Sequence, residues 1–310
     1  MRRAVLIGGG ALLTVGVLNL AARRASNQAE AAHPPIGEFV TIGKTRVHYV
    51  KRGSGPVIIA LHGAGGNVRD FTFSLMDKLA QNHTVIAFDR PGHGYTDTLH
   101  DDGETPTEQA NLLRAAARKL GVTHATVLGY SFGGIVSLAW ALDDPEMVTG
   151  MVLVSAVINE WPGGVDNLYR LGGGVVLGAV FRPLAALATE ARLRSGFSAV
   201  FAPQSPPDGY LDYVGMDLAV RPKTMKANGR QVAKSKPHVA ELQKSYDRLK
   251  MPIELIHGTE DNSVYASIHS APFARDHANA RYTEIAGMGH GTLQLAQDEI
   301  IAAVARLDAH

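Results

Sequence analysis

Residues 126 to 136, Thr126-Val-Leu-Gly-Tyr-Ser-Phe-Gly-Gly-Ile-Val136, carry the strongest fold signal in the chain. An apolar run typical of a buried strand leads into Gly-x-Ser131-x-Gly, and an apolar run typical of a helix follows. A sharp strand-to-helix turn crowds the backbone, and the small residues at 129, 133 and 134 would relieve that crowding. The pattern therefore predicts that Ser131 stands exposed at a tight turn, with the amide of Phe132 at the N-terminus of a helix.

Two further strand-like runs are each followed by a side chain that could act with Ser131. The run Ile253–Gly258 leads to Thr-Glu-Asp261, and the run Arg281–Ile285 leads to Ala-Gly-Met-Gly-His290. The chain order is then serine, aspartate, histidine, with the acid and the base each on the loop after a strand. This order predicts a catalytic triad in which His290 is the base and Asp261 orients it.

Each of these residues, taken alone, has an ordinary explanation. The chain contains 13 histidines and 29 acidic residues, so a single one is more often a surface or capping residue. Glu260 is an alternative to Asp261 as the orienting acid. The prediction depends on the combination of three strand-loop units that present a hydroxyl, a carboxylate and an imidazole in this order.

A glycine-rich loop follows the strand-like run Val57-Ile-Ile-Ala-Leu, with the sequence His62-Gly-Ala64-Gly-Gly. Such a loop lets backbone amides approach a bound carbonyl closely. The amides of Ala64 and Phe132 are predicted to form an oxyanion hole. The loop lacks Gly-x-x-x-x-Gly-Lys-Ser/Thr and Gly-x-Gly-x-x-Gly, which disfavours nucleotide binding.

Five motifs, in order, resemble those of the α/β-hydrolase superfamily, in the branch that carries a cap inserted into a serine-hydrolase core. The resemblance covers roughly residues 38 to 308 and is specific for the fold and the triad but not for the substrate. It implies that Asp89 has a structural role. The motifs are His62-Gly63, Phe88-Asp89-Arg90-Pro91-Gly92-His93-Gly94, Gly129-Tyr130-Ser131-Phe132-Gly133-Gly134, Gly258-Thr-Glu-Asp261 and Gly289-His290.

Short apolar runs alternate with helix-like segments, which predicts an α/β fold with a doubly wound, mostly parallel sheet. A helix over 107–120 has good boundary chemistry, with Thr105 as N-cap, Pro106 at N1, Glu108 at N3 and Gly121 beyond its end. A further helix is predicted over 70–80. We expect an N-terminal signal or anchor segment at 1–24, a linker at 25–36, a hydrolase core at 37–157 and 251–310, and a mainly helical cap at 158–250.

The predicted cap is apolar and glycine-rich between residues 168 and 201. Its apolar side chains pack as the core of the cap, or some of them line an apolar acyl pocket or touch a membrane surface. Five aromatic residues are candidates for the pocket: Trp161, Tyr169, Phe181, Phe197 and Phe201.

The N-terminal run from Ala4 to Ala22 has no charged residue and would be roughly 28 Å long as a helix, close to the ~30 Å hydrocarbon thickness of a bilayer. It could be an uncleaved signal anchor, a secretory signal cleaved after Ala29-Glu-Ala31, or, least favourably, a buried amphipathic helix. We expect membrane association through residues 4–22 or export, with the catalytic domain outside the cytoplasm.

Composition and charge exclude or disfavour several classes of function. The chain has 310 residues, a formal net charge of +1 and no cysteine, which argues against general affinity for nucleic acid and excludes disulfides and a cysteine nucleophile. The sequence predicts a carboxylesterase-like or lipase-like enzyme that acts on a small-molecule acyl substrate without a metal or an organic cofactor. Carbon–carbon bond hydrolysis, thioester hydrolysis, cofactor-free perhydrolysis and ligand binding without turnover remain open, as do the acyl chain length and the oligomeric state.

Overall fold

Eight strands form a single sheet in the computed structural model, which describes the backbone of residues 2–309 and the side chains of residues 15–309. Their order across the sheet is β1-β2-β4-β3-β5-β6-β7-β8. Strand β2 is antiparallel to both of its neighbours, and all pairs from β4 to β8 are parallel. The strands are β1 (Glu38–Ile42), β2 (Thr45–Arg52), β3 (Val57–Leu61), β4 (Thr84–Phe88), β5 (Ala125–Tyr130), β6 (Val148–Val154), β7 (Ile253–Gly258) and β8 (Ala280–Ile285).

The central strands are apolar throughout because helices cover both faces of the sheet. In β3, Ile59 and Leu61 belong to one apolar cluster, whereas Ile58 and Ala60 belong to another. Successive side chains of a strand point to opposite faces, so each cluster is one side of the sheet. Helices α4 (Pro106–Lys119) and α5 (Phe132–Asp143) contribute to the first cluster, and α3 (Leu75–Leu79) and α14 (Gln297–Asp308) to the second. The predicted doubly wound, mostly parallel α/β fold is confirmed.

The boundary chemistry predicted for α4 is also confirmed. Thr105 Oγ1 accepts a hydrogen bond from the Glu108 amide at 3.2 Å, and the Glu108 carboxylate accepts one from the Thr105 amide at 2.8 Å. Pro106 occupies the first turn. The single helix predicted over 70–80 is instead two short helices, α2 (Arg69–Thr72) and α3, because Ser74 between them has a non-helical backbone, with φ −159° and ψ −41°.

Between β6 and β7 the described chain forms helices and no strand. Helix α11 packs along α6 at a very short distance, since a Cβ added at Gly229 would lie 2.3 Å from the Gly173 amide nitrogen. The helices of this region are α6 (Asn167–Gly173), α7 (Val176–Ala185), α8 (Glu190–Ala199), α9 (Tyr210–Val214), α10 (Met216–Ala219) and α11 (Pro222–Gln243). After β7 follow α12 (Ser270–Asp276) and α13 (Thr292–Leu295). The boundaries assigned to core and cap stay a prediction.

The N-terminal helix α1 (Arg2–Ala32) continues through most of the segment predicted as a linker at 25–36. The alanine-rich composition of this segment favours a helix, which ends before Pro34-Pro35. Ala22 and Ala29 are buried, and Glu30 Oε1 lies 2.7 Å from Nη1 of Arg221 on the loop before α11. The predicted linker is therefore largely a helix packed on the region between β6 and β7.

The prediction of a membrane-spanning segment over 4–22 is not supported. Within the part of the chain that the structure describes, no helix combines the length and the apolar content needed to cross a membrane. The side chains of residues 4–14 lie outside the described residues.

Candidate active site

Ser131 lies at the turn between β5 and α5 with an unusual backbone conformation, φ +53° and ψ −119°. A positive φ is costly for a residue with a Cβ, and it persists here because the neighbouring backbone has no room to relax. A Cβ at Gly133 would lie 2.1 Å from the Leu61 carbonyl oxygen, and one at Gly134 would lie 2.4 Å from the Ala156 Cβ. The tight turn predicted from the glycines is present.

The structure brings the three predicted triad residues together. Ser131 Oγ lies 3.0 Å from His290 Nε2, and His290 Nδ1 lies 2.7 Å from Asp261 Oδ2. A carboxylate only accepts hydrogen bonds, so Nδ1 carries the proton and Nε2 is free to accept the hydroxyl proton of Ser131. Ser131 is only 8% exposed, contrary to the exposed position predicted for it. Glu260, the alternative acid, is exposed on the same loop as Asp261.

The Asp261 carboxylate is buried and accepts hydrogen bonds at both oxygens. Its Oδ1 accepts from the amides of Ser263 at 2.9 Å and Val264 at 2.8 Å, while its Oδ2 accepts from His290. A second imidazole, His257 Nε2, lies 3.1 Å from the same Oδ2. Burial alone would raise the pKa of Asp261, but the hydrogen bonds from His257, His290 and the Val264 amide hold it well below its ordinary value. Asp261 is therefore ionised at neutral pH.

His257 is a residue of the site that the sequence analysis did not identify. It is the second-last residue of β7, its side chain is fully buried, and its Nε2 lies 2.7 Å from the Val264 carbonyl oxygen as well as near Asp261. Because both of these partners are acceptors, Nε2 carries the proton, and Nδ1 accepts from the Ser270 hydroxyl at 2.7 Å. The only sequence signal was its position four residues before Asp261.

Tyr130, next to Ser131, holds the backbone of His290. Its hydroxyl donates to the His290 carbonyl oxygen at 2.9 Å, and the two rings lie 5.3 Å apart. Burial raises the pKa of Tyr130 well above its ordinary value, so the hydroxyl stays protonated and remains a donor. The imidazole is thus held both by its ring partners and by its backbone.

The two amides predicted to form the oxyanion hole lie on segments that border Ser131. Phe132 is the first residue of α5, where backbone amides have no partner within the helix. Ala64 follows Gly63, at which an added Cβ would lie 3.0 Å from the Ser131 Cβ. The loop around Ala64 therefore lies directly against Ser131, and the role of the two amides stays a prediction.

A buried arginine, Arg90, holds the loop that contains Ala64 in place. Arg90 donates through Nε to the His62 carbonyl at 2.9 Å and through Nη2 to the Gly63 carbonyl at 2.8 Å, and its guanidinium lies 4.7 Å from the centre of the Phe132 ring. Burial lowers the pKa of Arg90 to about 9, so it remains charged at neutral pH. One side chain thereby links the loop before Ala64 to the start of α5.

Asp89 has the structural contacts that the resemblance implied. Its carboxylate accepts from the amides of Val68 and Tyr95, each at 2.8 Å, and from His48 Nδ1 at 2.7 Å. These contacts join β2, β4 and the segment before α2. Asp89 does not belong to the group around Ser131.

A family model described as the alpha/beta hydrolase fold matches residues 56–293. The chain belongs to this family. The matched range includes every residue of the candidate site.

Individual proteins are similar to this hydrolase-fold chain at low sequence identity or over only part of its length. A 2-hydroxy-6-oxononadienedioate/2-hydroxy-6-oxononatrienedioate hydrolase of Escherichia coli is 30% identical over 132 residues, 41% of this chain and 46% of its own. The chain spans between 32% and 47% of the length of the most similar curated relatives. Among solved structures, a meta-cleavage product hydrolase mutant from Pseudomonas fluorescens has a TM-score of 0.73 at 20% identity, covering 89% of this chain and 98% of that one. An esterase from Exiguobacterium antarcticum has a TM-score of 0.71 at 19% identity, covering 88% and 100%.

The five aromatic residues proposed for an acyl pocket do not form one group in this hydrolase fold. Phe197 and Phe201 belong to the same apolar cluster, and Phe201 lies beside the residue after His290, where a Cβ at Gly291 would be 2.3 Å from its ring. Trp161 packs instead against the apolar cluster to which α4 and α5 contribute. Tyr169 and Phe181 are half-buried on α6 and α7.

Two cavities of about 480 and 310 Å³ lie between α1 and the helices that follow β6, and Ser131 lines neither of them. Within the described residues, no group of three histidine or acidic side chains could hold a metal ion.

Proposed function

We propose that the protein is a serine hydrolase that cleaves carboxylic ester, or related acyl, bonds of a small apolar substrate. The observation that carries the proposal is the pair of contacts that link Ser131 Oγ to His290 Nε2 at 3.0 Å and His290 Nδ1 to Asp261 Oδ2 at 2.7 Å. These are the distances at which a base can take a proton from a hydroxyl and a carboxylate can fix the tautomer of that base.

In the first half of the reaction, Ser131 Oγ attacks the carbonyl carbon of the substrate while His290 Nε2 takes the hydroxyl proton. The negative charge that develops on the carbonyl oxygen is received by the amides of Ala64 and Phe132. The tetrahedral intermediate then collapses, His290 gives its proton to the leaving alcohol, and the acyl group remains on Ser131.

In the second half, a water molecule attacks the acyl carbon and His290 takes one of its protons. Collapse of the second tetrahedral intermediate releases the acid and returns the proton to Ser131 Oγ. Asp261 stays ionised throughout and offsets the positive charge on the imidazole, which its four hydrogen-bond contacts support.

A carbon–carbon bond hydrolase is the second candidate. It is favoured by the E. coli relative, which is named as a hydrolase of 2-hydroxy-6-oxononadienedioate and 2-hydroxy-6-oxononatrienedioate. Thioester hydrolysis and perhydrolysis need the same triad and remain alternatives. Ester cleavage is the simplest reaction for this triad, because it needs only water and a leaving group that His290 can protonate.

We also propose that the N-terminal segment directs the protein out of the cytoplasm and remains attached. The uncharged run from Ala4 to Ala22 supports export. Retention is supported by the packing of α1, since cleavage after Ala31 would remove Glu30, the partner of Arg221. Cell fractionation and intact mass of the mature protein test both points.

The first experiment is hydrolysis of p-nitrophenyl esters from acetyl to palmitoyl by the full chain. We expect Ser131→Ala to lose activity by at least roughly a thousandfold, because the nucleophile is removed. Ser137→Ala is the matched control. The Ser137 hydroxyl is buried on α5, the helix that follows Ser131, but it donates to the Gly133 carbonyl. This variant should keep most of the activity.

The chain-length optimum would define the size of the acyl site. Equal turnover by wild type and Ser131→Ala on every ester would contradict the proposal. A fluorophosphonate probe that labels wild type but not Ser131→Ala would then indicate another acyl or carbon–carbon bond chemistry. Failure to label wild type would favour ligand binding without turnover.

A further inference from the structure

The exposed large apolar side chains of the protein are concentrated on three helices. Of the 15 such residues within the described part of the chain, 10 belong to α1, α6, α7 and the residues that flank α7. Val176 and Leu177, at the start of α7, are 79% and 69% exposed. The ten are Val15, Val17, Leu20, Leu168, Val175, Val176, Leu177, Val180, Leu184 and Leu187.

These side chains lie on neighbouring elements, because α1 packs along α7. Val15 of α1 and Ala179 of α7 line the same 310 Å³ groove, whose remaining wall includes Lys223 and Lys226 of α11. We call the exposed sides of α1, α6 and α7 the α1–α7 face. Scattered apolar residues on a surface are ordinary, but a concentration of this kind marks an interaction site.

The charges on α1, α6 and α7 are mostly positive. Residues 167–189 contain Arg170 and Arg182 and no acidic residue, and α1 has no acidic residue before Glu30. Arg23 and Arg24 are exposed. The Glu30 carboxylate is paired with Arg221 and Lys223, so it does not offset the other cations. Asp166 and Glu190 lie just outside residues 167–189, and Glu190 is paired with Arg194. The border of the apolar surface therefore carries an excess of positive charge.

We propose that the α1–α7 face docks on an anionic lipid bilayer, with α1 and α7 lying in the plane of the interface. An apolar helix surface with basic residues at its border gains from burial among acyl chains and from attraction to acidic headgroups. A protein partner would also cover apolar side chains, but the excess of positive charge is what an anionic lipid surface complements. The proposal goes beyond the hydrolase activity and does not depend on it.

Vesicle sedimentation with the full chain tests this interface. We expect binding to vesicles of phosphatidylcholine with about one third phosphatidylglycerol, and much weaker binding to pure phosphatidylcholine. Val176→Asp with Leu177→Asp should weaken binding to the anionic vesicles by at least roughly tenfold, since two carboxylates enter the apolar contact. Both positions are exposed and in the first turn of α7, where acidic residues favour the helix, so the fold should be unaffected. Phe39→Asp, an exposed apolar side chain on strand β1, is the matched control and should bind like wild type.

A second pair of variants tests the electrostatic part. Arg23→Glu with Arg24→Glu should weaken binding by at least roughly tenfold, because each basic residue near such a surface contributes about 1 kcal/mol, a factor of about five. Arg23→Lys with Arg24→Lys keeps the charge and should bind like wild type. Raising the ionic strength from about 0.01 M to 1 M shortens the Debye length from about 30 to 3 Å and should reduce binding of wild type.

Equal sedimentation with anionic and neutral vesicles, or binding that neither pair of variants weakens, would overturn the proposal. A wild-type dimer that the α7 variant converts to monomer, without any vesicle binding, would assign the face to self-association instead. Vesicle binding is measured without substrate, and hydrolysis of a soluble short-chain ester by the α7 variant is measured without vesicles. A failure of the lipid-binding proposal can therefore be distinguished from a failure of the hydrolase proposal.

Discussion

At the scale of single residues, the most unusual feature of the site is a carboxylate shared by two histidines. Asp261 Oδ2 accepts from His290, which contacts Ser131, and from His257, which contacts Ser270 instead. The second donor prevents the carboxylate from rotating and lowers its proton affinity. His257 touches neither Ser131 nor the reacting atoms, so its expected role is to position Asp261.

Replacing His257 by leucine should lower kcat/KM by roughly tenfold, with KM little changed, because one hydrogen bond to a buried charge is lost. The hydrogen bonds of Asp261 outweigh the effect of burial and keep its pKa low, so losing the His257 donor raises that pKa. The carboxylate then protonates at a higher pH, and the acid limb of the kcat/KM profile should move upward. The pH profiles of wild type and variant measure this directly.

Two further variants separate positioning by His257 from simple support of the fold. His257→Gln keeps a donor near Asp261 and should recover part of the activity and the wild-type acid limb. Ser270→Ala removes only the hydrogen bond to the opposite nitrogen, Nδ1. An unshifted acid limb in His257→Leu, together with a lowered melting temperature, would reduce His257 to a structural residue.

Sequence patterns singled out Ser131, Asp261 and His290 because each follows a strand at a turn with a nearby glycine, and the structure places the three side chains within hydrogen-bond distance. Their catalytic roles stay a prediction. His257 was not recognised as part of the site, since a histidine inside a buried strand gives no indication of which loop its ring will meet. The exposure of Ser131 was also predicted wrongly, because the residues that cover a site come from distant parts of the chain.

At the scale of elements, the packing of α5 against β3 determines where the nucleophile lies. A Cβ at Gly133 would meet the Leu61 carbonyl oxygen at 2.1 Å, a contact that only a shift of backbone can relieve. Gly133→Ala should therefore destabilise the protein by about 1–3 kcal/mol or more and reduce the activity of the folded fraction. Urea denaturation and turnover per folded molecule measure the two effects.

Gly196→Ala is the matched control, since Gly196 lies inside α8 and an added Cβ meets nothing within 4 Å. It should leave activity unchanged and increase stability by about 0.5–1 kcal/mol, because alanine favours the helix. A Gly133→Ala variant as stable and as active as Gly196→Ala would show that α5 can move away from β3 and that its close packing does not fix the turn at Ser131.

Element prediction from sequence succeeded where local chemistry decides the outcome. Thr105, Pro106 and Glu108 begin α4 as expected, since a capping box is a local structure. The segment predicted as one helix over 70–80 is divided at Ser74, whose hydroxyl accepts from Gln297 Nε2 at 2.6 Å. That partner lies on α14 at the far end of the chain, and local sequence contains no information about it.

At the scale of the whole molecule, buried arginines connect three parts that are distant in sequence. Arg90 binds the loop before Ala64 and also Gln231 of α11, at 3.0 Å. Arg221, on the loop before α11, is 1% exposed and donates to the Gly94 carbonyl and to Glu30 of α1. The N-terminal helix, the helices between β6 and β7, and the sheet are thereby joined by two buried guanidinium groups. A buried charge is costly unless its hydrogen bonds are made, so these contacts hold the three parts together.

Glu30 is the position at which the attachment of α1 can be tested. Glu30→Ala leaves Arg221 buried without its carboxylate, so unfolding should become easier by about 1–2 kcal/mol. This is less than the roughly 3–5 kcal/mol usual for a broken buried pair, because the Glu30 side chain is 34% exposed and partly screened by water. Glu190→Ala, which removes an exposed partner of Arg194, is the control and should cost less than about 0.5 kcal/mol.

The loss of unfolding free energy in Glu30→Ala should depend on pH, and the direction follows from the sign of the pKa shift of Glu30. Burial would raise the pKa of Glu30, but hydrogen bonds from Lys223 and Arg221 outweigh it and hold the pKa below its ordinary 4.5. A carboxylate with a lowered folded-state pKa stabilises the protein above its ordinary value and loses that contribution as the pH falls. The difference in unfolding free energy between wild type and Glu30→Ala should therefore be full at pH 7 and shrink below about pH 4.5. A difference equal to that of Glu190→Ala at pH 7 would mean that α1 is not attached to the rest of the molecule through this ion pair.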